Sequence, residues 1–124
     1  MDLKISGVKE VRVSWDVVPE ELKSITIKRV NGLEFAPNSY QLLSLKLENV
    51  CLYAANEMMS FISVQDLSFV DCFFIVNPNA RQGFSLSASC KEKILTLFIS
   101  DCRINGKLLT YKDLSQFLCC STVY

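Results

Sequence analysis

A chain of 124 residues, half of them hydrophobic, is long enough for one domain with a buried core and too apolar for a disordered segment. Thirteen basic residues balance thirteen acidic ones, for a formal net charge of zero. That balance removes the basic footprint on which nucleic-acid affinity depends, so no nucleic acid is expected as a partner.

In chain order, the opening Met1-Asp2-Leu3-Lys4-Ile5-Ser6-Gly7 lacks the apolar run of a signal peptide. Nowhere do eighteen apolar residues run together, and no membrane partner is expected. No Asn-x-Ser/Thr sequon occurs, so the six cysteines read as reduced thiols and the chain as cytoplasmic or nuclear.

From Leu22 onward an apolar template recurs. It reads Leu22-x-x-Ile25-x-Ile27-x-x-Val30, Leu42-x-x-Leu45-x-Leu47-x-x-Val50, Val64-x-x-Leu67-x-Phe69-x-x-Cys72 and Ile94-x-x-Leu97-x-Ile99-x-x-Cys102. A weaker copy, Val8-x-x-Val11-x-Val13, precedes them. Alternation at the fourth and sixth positions marks a strand with one buried face. No single unit can bury that face alone, so the units must stack with their strands in parallel. First anchors at positions 8, 22, 42, 64 and 94 give steps of 14, 20, 22 and 30. Steps of 20 and 22 suit a leucine-rich repeat. The first is too short for a full coil, which suggests a capping strand or hairpin over residues 8–18.

Between copies, 16–21 and 35–40 each carry a proline and read as turns. Residues 54–61 fit two helical turns, Phe84-x-Leu86 an irregular strand, and 110–118 a C-terminal capping helix with Thr110 as N-cap. The fold expected is therefore α/β: a short, irregular leucine-rich-repeat-like solenoid with a parallel β-sheet, as one domain over 1–124, whether complete or a piece of a larger protein. The alternative is an all-β sandwich, because Asn31-Gly32 and Asn105-Gly106 are hairpin signals.

Chemistry finds little purchase. With no histidine, the Ser-His-Asp and Cys-His arrangements and the commonest metal ligand are gone. Neither phosphate-cradling glycine motif occurs among the four glycines. Only Cys119 and Cys120 lie close together, and adjacent thiols rarely share a tetrahedral ion. Cys72 and Cys102 read as packed ladder positions. Asp71 and Asp101 occupy one template slot and could pair as acid and base, but such residues more often hold turn amides. Trp15 reads either as a binding anchor or as a cap over the first strand. No catalytic residue, metal, cofactor or small-molecule substrate is expected.

The segments Leu67-Ser68-Phe69-Val70-Asp71-Cys72 and Leu97-Phe98-Ile99-Ser100-Asp101-Cys102 resemble the cysteine-containing leucine-rich repeats of F-box proteins. The segment from Leu109 to Leu118 is similar, more distantly, to the F-box-associated region of nematode proteins. The resemblance implies a non-catalytic protein-interaction module that holds a substrate for a ubiquitin-ligase adaptor. Valine stands at 30 and 50 where that pattern has cysteine or asparagine. The other reading is a degenerate copy of a larger repeat protein with no activity of its own.

Stacked strands also predict a surface. Residues between the buried ones would form ladders, Arg12, Thr26, Lys46, Ser68 and Phe98 in one, and Ser14, Lys28, Glu48, Val70 and Ser100 beside it. The expected partner-binding residues are Arg12, Thr26, Lys28, Lys46, Glu48, Ser68, Val70 and Phe98. The partner is a protein, with an apolar patch at Val70 and Phe98 as its target.

Overall fold

A computed structural model describes residues 1–54, 62–75, 95–104 and 106–109, together with the backbone of 122–123. Strands β1 (Asp2–Ser6), β3 (Ser24–Phe35), β4 (Tyr40–Leu52), β5 (Ile62–Val70) and β7 (Thr96–Ser100) each carry one copy of the alternating pattern. They stack in parallel in that order. Their register aligns Leu3, Ile25, Leu45, Leu67 and Leu97 in one inward ladder, and Ile5, Ile27, Leu47, Phe69 and Ile99 in the next. From Ile25 to Ile99 every one of these side chains is buried. The short β10 (Thr122–Val123) adds a parallel edge, with Val123 opposite Leu97.

Each coil then turns a corner. Gly7, Arg29, Asn49, Asp71 and Asp101 all have positive φ, between 51° and 72°. They occupy one slot, two residues past the second buried ladder position. Left-handed backbone costs an ordinary L-residue about 1–2 kcal/mol, which glycine escapes and Asn or Asp tolerate best. At this corner the Gly7 amide donates to the Lys28 carbonyl at 3.1 Å, and that of Asp71 to Ser100 at 2.8 Å. The next residue, Val30, Val50, Cys72 or Cys102, turns back into the core and is buried. Where cysteine stands, its thiol donates to main-chain carbonyls: Cys72 to Leu47 and Val70, Cys102 to Phe69 and Ser100, at 3.3–3.4 Å.

Past the corner a second parallel ladder forms. Strand β2 (Glu10–Val13) pairs with the end of β3, placing Val11 on Leu33 and Val13 on Phe35. Leu33 stacks on Leu52, Leu52 on Phe74 of β6 (Phe73–Phe74), and Phe74 on Ile104 of β8 (Arg103–Ile104). Edge-to-face aromatic contacts fill the interior between the ladders, Phe69 on Phe74 at 5.0 Å and Phe35 on Tyr40 at 5.7 Å. The buried Tyr40 hydroxyl donates to the Ala36 carbonyl at 2.7 Å.

The arrangement is a β-solenoid, and it corrects the α/β expectation. Among the described residues there is no helix. The physical reason lies in the repeat length: a coil of 20–22 residues that contains two strands and a corner leaves little chain for a helical return. The link 36–39 has only four residues and includes Pro37, too few for a helix. The sandwich alternative fails as well, because all the stacked pairs are parallel. Of the two hairpin signals, Asn31-Gly32 lies inside β3. A Cβ on Gly32 would come within 3.0 Å of the Tyr53 ring, so glycine serves close approach there and not a turn. Gly106, with φ 84°, does sit in a turn, between β8 and the antiparallel β9 (Lys107–Leu108). Of the helical turns expected over 54–61, Ala54 has a φ of 53° and is not helical; residues 55–61, the helix expected over 110–118 and the strand at 84–86 lie outside the described residues.

The first coil also corrects the repeat alignment. Leu3 and Ile5, not Val11 and Val13, hold the slots of Ile25 and Ile27. With Leu3 as the marker the first step is 22 residues, a full coil, and where a capping strand or hairpin was expected over 8–18 there is one strand, β2, in the second ladder.

Candidate protein-binding face

Side chains that alternate with the first inward ladder point outward as three rows. The register places Asp2, Ser24, Ser44, Asp66 and Thr96 in the first row, Lys4, Thr26, Lys46, Ser68 and Phe98 in the second, and Ser6, Lys28, Glu48, Val70 and Ser100 in the third. Rungs of a parallel sheet lie about 4.8 Å apart, so each row is a regular array set by the backbone.

Neighbouring rungs satisfy one another along the first row. Ser24 donates to the Asp2 carboxylate at 2.7 Å, and Thr96 to that of Asp66 at 2.6 Å. In the third row Lys28 and Glu48 form an ion pair at 3.3 Å. At the corner Arg29 donates to the Ser6 hydroxyl at 2.9 Å. In the second row Lys4 and Lys46 are exposed, Thr26 and Ser68 half-buried, and Phe98 keeps 41 % of its surface in solvent. Ser44, Lys46, Asp66, Ser68, Thr96 and Phe98, with Leu67 beneath, line an open depression of ≈ 500 Å³. An exposed aromatic ring thus stands beside hydroxyls, a carboxylate and an ammonium in this depression.

Seven of the eight residues expected on this face lie there: Thr26, Lys28, Lys46, Glu48, Ser68, Val70 and Phe98. Val70 is half-buried, so the apolar character rests mainly on Phe98. Arg12 does not belong. It sits in β2 beyond the corner, paired with Glu34, where both line a separate depression of ≈ 440 Å³ with Glu10 and Tyr53 over the backbone of Gly32. Its place is taken by Lys4, and that of Ser14 by Ser6. The signal was present in the alternation Leu3-x-Ile5 followed by Gly7 in the corner slot.

Asp71 and Asp101 occupy left-handed corners, and Ser100 donates to Asp101 at 3.3 Å. Trp15 is half-buried, edge-on to Tyr40 at 6.3 Å. Cys51, Cys72 and Cys102 are free thiols; Cys90, Cys119 and Cys120 lie outside the described residues. A hydrogen bond with Cys102, reinforced by burial, pushes the Cys72 thiol up from its ordinary range. Burial also raises Cys51 and Tyr40. Among the described residues no cluster of His, Cys, Asp or Glu is arranged to hold a metal ion, and no helix is long and apolar enough to cross a membrane. Neither the family models, the curated proteins nor the solved structures include a match to this chain.

Proposed function

We propose that this chain is a non-catalytic protein-recognition module that holds its partner on the outward face of the first ladder, around Phe98. The observation that carries this reading is the exposed ring of Phe98 in the depression over β4, β5 and β7. Large aromatic side chains that border polar groups supply most of the energy where proteins meet. The stacked backbone behind the ring is a rigid support, so little ordering cost falls on this side of an interface. The partner is a protein met in the cytoplasm or nucleus. Substrate holding for a ubiquitin-ligase adaptor is the specific form drawn from the resemblance of the two Cys-ending motifs.

Affinity capture from native cells with the wild-type chain, Phe98→Ala and Arg12→Ala tests this. A protein captured by wild type and Arg12→Ala but lost with Phe98→Ala supports the reading. Identical captures by all three chains overturn it.

A further inference from the structure

The core is covered at one end of the stack and open at the other. Strands β1 and β2 both lie on β3, before and after the Gly7 corner, and form the first rung. Among the described residues nothing pairs with their other edges. Leu3, Ile5 and Val11 on this rung are half-buried, whereas Ile25, Ile27 and Leu33 beside them are fully buried. Val8 takes the slot in which Val30, Val50, Cys72 and Cys102 are all buried, yet it keeps 43 % of its surface exposed. At the far end Leu97 and Ile99 are buried. A strand edge left open over apolar residues is a template for another chain, and a solenoid end exposes its core unless something covers it.

The order of charge along this edge says what covers it. The Met1 carbonyl and Gly7 amide bond toward the second coil at 2.8 and 3.1 Å, as do the Lys9 and Val13 carbonyls at 3.0 and 2.8 Å. Backbone groups of successive strand residues point to alternate sides, so Asp2, Lys4, Glu10 and Arg12 present theirs on the open edge. Each strand thus reads acid, apolar, base: Asp2-Leu3-Lys4 and Glu10-Val11-Arg12. None of these four charges is in an ion pair among the described residues, where Lys28–Glu48 is the one pair. We propose that this rung is a dimer interface, covered by the same rung of a second copy about a two-fold axis that bisects the Gly7 corner. That axis lays β1 antiparallel on β2 of the second copy, and β2 on its β1. Leu3, the second inward residue before the corner, meets Val11 of the second copy, the second inward residue after it. Lys4 then lies opposite Glu10 of the second copy, and Asp2 opposite its Arg12, with their backbone groups hydrogen-bonded across the edge. The two-fold repeats each contact. A slip of two residues keeps inward on inward but sets Lys4 against Arg12, or Asp2 against Glu10, and like charges directly opposite are destabilising. A slip of one residue turns the inward set outward. The charge order therefore fits this chain's own edge in one register. The interface lies at the opposite end of the stack from Phe98 and does not depend on the reading of that face.

Sedimentation velocity of the whole chain and three variants tests the pairing. The wild type should form a reversible dimer that weakens as salt is raised. Lys4→Glu and Glu10→Lys should each weaken association at least tenfold, because each sets like charges opposite one another at two symmetric places. Both side chains are exposed, so neither change removes a core contact. The double variant, Lys4→Glu with Glu10→Lys, restores opposite charges and should recover the wild-type dimer. A wild-type chain that stays monomeric, or that assembles beyond a dimer, overturns the inference without any variant. A double variant as dissociated as the single ones also overturns it, since that result means each strand pairs with its own copy, Lys4 against Asp2 and Glu10 against Arg12. Single variants that dimerise like the wild type place the interface elsewhere and overturn it too.

Discussion

The two faces of the same five strands obey different rules. Inward, the slots of Ile25 and Ile27 hold only Leu, Ile or Phe in every coil; outward, the row beside them changes from Lys4 to Thr26, Lys46, Ser68 and Phe98. The difference follows from stacking. An inward residue packs against its equivalents above and below in a dense interior, where a change of one methylene is felt. An outward residue meets water and two neighbours at about 4.8 Å, and only a like-charge or unpaired neighbour penalises it. The inner face therefore records the fold, and the outer face is free to record a partner.

Breaking the inner face should have the largest effect. Leu47→Ala and Leu97→Ala remove side chains that are 1 % and 0 % exposed, in ladders shared by the coils on either side. Each should cost about 2–5 kcal/mol, lost transfer energy plus an unfilled cavity. Against the roughly 5–15 kcal/mol that holds a domain of this kind together, either should shift a urea midpoint markedly. A midpoint within error of wild type would show that the ladder register is wrong.

The corner is the next most sensitive position. Asp101 sits at φ 54°, where a β-branched residue is a steric outlier. Asp101→Val should destabilise by about 1–2 kcal/mol, the cost of left-handed backbone for such a side chain. Asp101→Gly should stay within about 1 kcal/mol of wild type, since glycine gains conformational ease in the coil and loses chain entropy on folding. Equal losses for both variants would trace the effect to the carboxylate, which Ser100 meets at 3.3 Å, and not to the backbone.

Smaller still is the Lys28–Glu48 pair on the outer face. Both side chains are 52 % exposed, so solvent screens the attraction. A double-mutant cycle should return about 0.2–1 kcal/mol, declining as salt is raised. A value well above 1 kcal/mol would show that the pair is far better shielded than its exposure implies.

How far the sequence could be read follows the same division. The inward pattern of four coils was legible residue by residue, because Leu, Ile and Phe at fixed spacing have one interpretation on a stacked sheet. The first coil misled, since Val11-x-Val13 alternates as well as Leu3-x-Ile5 does. Both are genuine ladder positions, on opposite sides of Gly7. The second ladder was missed because past each corner only short segments remain, such as Leu33-x-Phe35 or the single Phe74. Such fragments carry too little period to distinguish a strand from a turn. The helices expected over 54–61 and 110–118 rested on local cues, such as Thr110 as an N-cap, that say nothing of these ladder fragments. Of the two outward ladders read from the sequence, all but Arg12 and Ser14 fell in place, Lys4 and Ser6 holding those slots. What binds there is a matter of chemistry that alternation does not encode.

The sharpest test of the comparison sets two adjacent residues of β7 against each other. Leu97 points inward and is fully buried, while Phe98 points outward and keeps 41 % of its surface exposed. By size alone phenylalanine is the larger hydrophobe, and truncating it in a core costs about 3–5 kcal/mol. On the outward row Phe98 neighbours Ser68 of the next rung and stays exposed, so Phe98→Ala should change stability by only about 0.5 kcal/mol. Lys46→Ala, two rungs away in the same row, should be equally mild. Both should weaken partner capture, and Leu97→Ala should weaken it only in proportion to the protein it unfolds. A one-residue slip of register would exchange the two sets completely. Parallel urea melts of Leu97→Ala and Phe98→Ala decide between them: similar midpoints would place the Phe98 ring in the core and remove the binding face with it.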